Sequence, residues 1–180
     1  MKKVIFYSWV LLMGTWVAGP TVSAVMEDAV PAAKDTAIVL NRLLDRAIDG
    51  QKGFKEVAEH ADSAELKARF VTQSSEREKF AEELKAKVAA LGGTPEQGGS
   101  FGGTVHRIWI DVKTAVRTDD DKAILGVVKT SEEKTLDTYR EASSQDLPND
   151  IRKLVDKQTK EIEKSYQWTV ERLKKIENEQ

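Results

Sequence analysis

No cysteine occurs in this chain. That absence excludes disulfides, thiolate metal sites, Cys-based catalysis and a lipid anchor on a cleavage-site cysteine. Histidine is almost as scarce, with two residues, His60 and His106, on separate segments. Soft and imidazole ligands for a transition metal are therefore thinly supplied. Aromatics make up 7% of the residues, little for a β-sandwich or barrel. No strand pattern is evident, so the G-x-G-x-x-G and P-loop settings, which open a helix after a strand, are missing. There is no G-x-S-x-G and no Ser-His-Asp context. No basic stripe carries interleaved aromatics, which argues against nucleic acid as a partner.

What is present is charge of both signs and long helical patterning. Charged residues are 32% of the 180, with a formal net charge of −2. The length suits one domain with a real core. Lys2 and Lys3 precede an uncharged, mostly apolar run from Val4 to Ala18, broken by Gly19 and Pro20. Val22-Ser23-Ala24 then fits a small-residue cleavage site. The run is about 15 residues, short of the ~20 of a spanning helix. Residues 1–24 thus read as a secretory signal, leaving no membrane span after cleavage. Export follows, to the periplasm if the source is Gram-negative. Loss of the two lysines takes the net charge to −4.

Four long apolar stripes with a period near 3.6 follow, arranged around one Gly-rich break, Gly92 to Gly103. Residues 25–34 read as a linker, and helix one is expected to start near Asp35 or Thr36. Its stripe is Leu40, Leu44, Ala47, Ile48, Phe54, Ala58 and Ala61. Gly50 and Gly53 interrupt it, as a kink or as a close approach to a neighbour. Asp62 and Glu65 predict a capping-box start for helix two, with Leu66, Phe70, Phe80, Ala81, Leu84, Val88 and Leu91 inward and Gly92 as a left-handed cap.

Gly92 to Thr118 is a crossover long enough to run the length of a bundle, with a short helix expected over Thr104–Ala115, where Ile108, Trp109 and Ile110 argue that it packs down. Asp119-Asp120-Asp121 opens helix three, where carboxylates complement the macrodipole. A calcium loop lacks its alternating ligands and central Gly. Helix three turns Ile124, Val127, Val128, Thr135, Thr138 and Ala142 inward. Asp146 and Pro148 start helix four, striped by Ile151, Leu154, Val155, Ile162, Thr169, Leu173 and Ile176. The bundle spans 35–176, with 177–180 as a frayed tail. Two helices, a long crossover and two more helices are the wiring of a ferritin-like four-helix bundle, so the fold class is all-α.

Such bundles can carry two metals between inward carboxylates and Glu-x-x-His pairs. The polar residues that 100° spacing places inward are Gln51 on helix one, Gln73, Ser74 and Arg77 on helix two, Ser131 on helix three, and Gln158 and Ser165 on helix four. Glu132 and Glu161 fall at the edges. Arg77 puts positive charge where a cation needs negative, so the layer Gln51, Gln73, Arg77, Ser131, Gln158 reads as a hydrogen-bond network, with Glu132 or Glu161 paired to Arg77. Glu56 and His60 share one face of helix one, off the apolar stripe, as a solvated pair or a surface metal contact. Trp168 lies on the shoulder of its helix, as a packing anchor or part of a partner surface.

Several segments together resemble a bacterial ferritin-like family of unknown function. They are Leu40-Asn-Arg-Leu-Leu, Asp49-Gly-x-x-Gly-Phe54, Ala58-Glu-His60, Glu76-Arg-x-x-Phe-Ala-x-Glu-Leu84, Leu91-Gly-Gly-Thr-Pro95, Gly99-Ser100, His106-Arg-x-Trp109, Asp119-Asp-Asp-Lys-Ala123, Leu147-Pro148 and Gln158. The resemblance spans Ala37 to Lys174 and implies a ferritin-like bundle without an established activity. Where that family carries acidic residues, this chain has Val127 and Lys129, and a Gly-Glu-Asp reads Ser131-Glu-Glu133. A frequent His-Asp is replaced around Tyr166-Gln167. If the family binds metal, these changes remove ligand positions.

The sequence reading is therefore an exported, ferritin-like helical bundle acting as a non-catalytic accessory or interaction protein, with envelope stress as the setting that the resemblance suggests. It needs no cofactor, and it would act through an unknown protein partner or through self-association. The alternative is a redox protein binding iron, manganese or zinc in a degenerate site drawn from Glu56, His60, Glu132 and Glu161. Enzymatic activity is left open, with the residue inventory weighing against it.

Overall fold

The computed structural model describes residues 22–98 and 120–178. The expected signal before residue 22 and the expected crossover helix, with His106 and Trp109, lie outside the described residues. Four helices form: α1 (Val22–His60), α2 (Ala64–Ala90), α3 (Asp121–Ser143) and α4 (Asn149–Asn178). No strand occurs among the described residues, and none of their helices is long and apolar enough to cross a membrane.

Helix α1 begins upstream of the expected start and takes in the segment read as a linker, Pro31 included. Thr36 caps nothing. Its hydroxyl donates to the Ala32 carbonyl at 2.8 Å, as a threonine does inside a helix. The α1–α2 turn is Ala61–Ser63, and its cap also differs from expectation. Ser63, not Asp62, is the N-cap, with its hydroxyl accepting from the Leu66 amide. The Asp62 and Ser63 amides instead donate to the Asp121 carboxylate, at 2.9 and 3.1 Å. The first residue of α3 thereby clamps the turn of the first hairpin. Asp120 caps α3 by accepting from the Lys122 amide at 2.9 Å.

Gly92 stands at φ +74 and ends α2 as expected. Gly92 and Gly93 amides donate back to the Ala89 and Val88 carbonyls, which is the Schellman pattern. The first residues of the crossover, up to Gly98, then run along α1. Asn41 pins them from both sides, donating to the Thr94 carbonyl at 2.9 Å and accepting from the Glu96 amide at 3.1 Å. At the other hairpin, the Arg152 guanidinium donates to the Ser143 and Gln145 carbonyls at the end of α3.

The short turns make α1–α2 and α3–α4 antiparallel pairs, with α1 also beside α3 and α2 beside α4. Helices α2 and α3 therefore face each other across the bundle axis. The inward stripes form two apolar clusters. One gathers Leu40, Leu43, Leu44, Leu84, Val88, Leu136 and Ile162 with their neighbours. The other gathers Phe54, Val57, Leu66, Phe70, Ile124, Leu125 and Val128.

Four of the six residues expected inward on α3, Ile124, Val128, Thr135 and Ala142, are buried, and the buried face is wider than expected. Leu125, Leu136 and Tyr139 are buried, while Val127 and Thr138 are half-buried. The three large side chains outweigh the smaller ones in the apolar area that they remove from water.

The two α1 glycines separate cleanly. A Cβ on Gly50 would stand 3.2 Å from Arg77 Cγ and 3.3 Å from Cδ, whereas one on Gly53 meets nothing within 4 Å. Gly50 is the close approach, and Gly53 is only a weak helix position. Accordingly, Gly50→Ala should destabilise the fold by about 1–3 kcal/mol through overpacking against a pinned side chain. Gly53→Ala should stabilise it by about 0.5–1 kcal/mol through helix propensity. Urea denaturation of the two variants checks this, and equal effects at both sites would refute it.

Candidate functional site

A polar layer separates the two apolar clusters. Its centre is Arg77, fully buried on α2, whose Nη2 donates to Glu132 Oε2 at 2.7 Å. Glu132 is 2% exposed, on α3 across the bundle axis. The guanidinium lies 5.3 Å from the Phe80 ring centre and 5.4 Å from that of Phe54, one ring from each cluster. Aromatic faces are favourable for a cation that has left water.

On one side of Arg77, Gln73 Nε2 donates to Ser165 Oγ across to α4, and the buried Thr169 hydroxyl donates to the Ser165 carbonyl at 3.0 Å. On the other side, the Tyr139 hydroxyl donates to Gln158 Oε1 at 2.9 Å, and Gln158 Nε2 donates to Glu83 Oε2 at 2.8 Å. Lys157 closes this chain at the surface, donating to Glu83 Oε1 at 2.8 Å. Burial pushes the Tyr139 phenol well above its ordinary range, with Arg77 opposing and Glu132 adding to the shift. Tyr139 thus stays a protonated donor. Burial pulls the Glu83 carboxyl upward, but the bonds from Lys157 and Gln158 outweigh it and hold it below its ordinary value.

The residues expected inward are only partly brought together. Gln73, Arg77 and Gln158 lie fully buried in the layer. Gln51 and Ser131 are half-buried at its margin, and each takes part through its backbone: the Gln51 carbonyl accepts from Ser74 Oγ at 2.9 Å, and the Ser131 carbonyl from Thr135 Oγ1 at 2.9 Å. On α3 it is Glu132, not Ser131, that is fully inward, because the buried face is wide enough to take in residue 132. Glu161 is not a partner of Arg77. It sits at the surface, 2.8 Å from Lys164. Glu56 and His60 stand 4.0 Å apart, both partly exposed on α1. The four metal candidates thus fall in three separate places.

Sequence reasoning missed Glu83, two aspartates and the hydrogen-bonding role of Tyr139. Tyr139 lies two turns beyond Glu132, and reading the α3 stripe through Leu125, Leu136 and Tyr139 would have found both. Asp45 is 2% exposed, and Asp49 is one turn further along α1. Their neighbours Asn41 and Ile48 meet the crossover, Ile48 at Gly98. The aspartates are therefore on the flank of α1 that residues 94–98 meet, which helix periodicity cannot register. Burial raises the Asp49 carboxyl from 3.8 to about 6. The Asp45 charge adds to the rise, and Lys52 and Arg46 oppose it.

The family model for a domain of unknown function, DUF2383, matches residues 35–145. The chain belongs to this family. The DUF2383 match covers most of α1, all of α2 and α3, and stops before α4. A comparison with curated proteins returned no match. Among solved structures, this DUF2383 protein is similar to a point mutant of Mycobacterium smegmatis Dps1, with a TM-score of 0.65 and 18% identity over 79% of this chain and 97% of that one. The likeness is one of fold, a ferritin-like four-helix bundle. Among the described residues no group of three or more His, Asp or Glu is placed to hold an ion. The inward carboxylate already has a guanidinium.

Two outcomes follow from this geometry. Arg77→Met strands Glu132 in the core and should cost about 3–5 kcal/mol, whereas Arg77→Met with Glu132→Leu should recover most of that loss. Equilibrium denaturation of the double-mutant cycle measures both. A single-mutant cost within about 0.5 kcal/mol, as at surface positions, would overturn the pairing. For Asp49, the folded-state value is above the unfolded one. Ionisation therefore disfavours the fold, and stability falls as pH rises from about 4 to about 6. Asp49→Asn should be more stable than the parent at pH 7, the difference vanishing below about pH 4. A difference constant across that window would contradict the assignment.

Proposed function

We propose that this protein is an exported ferritin-like bundle that acts by binding, as an accessory or interaction protein of the cell envelope, and not by turnover. The observation that carries the reading is the Arg77–Glu132 pair. Where a ferritin-like interior would offer open carboxylates to metals, this chain presents a carboxylate already neutralised by a fixed cation at 2.7 Å. Catalysis at that centre would need a reactant to reach fully buried groups. The exposed helix faces and the crossover are what remain for recognition, with Trp168 on the α2–α4 flank as the contact to test. Its ring carries the Arg69 guanidinium 5.1 Å from its centre. Envelope stress is the setting proposed for this role, and the N-terminal apolar run supports export.

Purified full chain, prepared without chelator, should hold no stoichiometric metal, and ferrous iron, manganese or zinc should leave its melting temperature unchanged. Stoichiometric metal, a rise in melting temperature by mass action or rapid iron oxidation in air would replace this reading with the redox alternative. Mass spectrometry of protein from the exported fraction should find Val25 at the N-terminus. An uncleaved N-terminus in the cytoplasm would remove the envelope role.

A further inference from the structure

We draw no further inference here: the strongest candidate, the side-chain cluster on the α2–α4 flank in which Arg69 stacks on Trp168 beside the Arg172–Glu65 pair, carries nothing further because nothing in the structure shows what covers it.

Discussion

One desolvated cation organises this bundle. Arg77 leaves water completely, and the rest of the interior is arranged around its cost. Glu132 supplies the opposite charge from across the axis. Phe54 and Phe80 supply ring faces from the two apolar clusters, and Gly50 supplies room for the stem. A buried pair of this kind is a poor source of net stability, because desolvation cancels most of the attraction. Its effect here is on geometry. The pair can close only when α2 and α3 sit diagonally opposite with residues 77 and 132 at one level, which penalises any register slip between the two hairpins.

Cohesion itself comes from the apolar clusters on either side. The links between hairpins at the surface are of a different order. Arg42 meets Glu141 at 3.1 Å between α1 and α3. Along α2 and α4, Lys87 meets Asp150, Lys157 meets Glu83, and Arg172 meets Glu65. Exposed pairs like these contribute little each, yet their order along α2 and α4 matches the antiparallel level set by Gln73 and Ser165. Asp121 adds a more local tie, with two backbone amides gathered on one carboxylate where the crossover returns to the first hairpin. Surface and core thus state the same alignment, as expected of a minimally frustrated fold.

A ferritin-like shape carries no particular chemistry, since function resides in sites placed on folds. In this chain the level between the helices is given over to buried polar pairs, Arg77–Glu132, Gln73–Ser165 and Tyr139–Gln158. Their one path toward the surface runs through Gln158 to the half-buried Glu83 and Lys157. That arrangement specifies structure.

The four long helices of the described residues and their order were legible in the sequence. They follow from local physics: a 3.6-residue apolar period, glycine in the left-handed cap at Gly92, and carboxylates at a helix start. The inward amides and Arg77 were legible for the same reason, since their stripes are unambiguous. The start of α1 was not, because alanines on either side of an expected cap support continued helix and Thr36 bonds backward. Nor was the identity of the inward acid. On α3 the buried face takes in Leu125, Leu136 and Tyr139 beside Ile124, Val128, Thr135 and Ala142, and only packing against the other helices showed that it carries Glu132 inward. The burial of Asp45 and Asp49 likewise depends on a segment distant in sequence. The sequence by itself determined which residues form helices and which faces are apolar, because those are properties of one segment. Which charge meets Arg77 was decided by tertiary structure, because a diagonal pair is a relation between two helices that no single stripe contains.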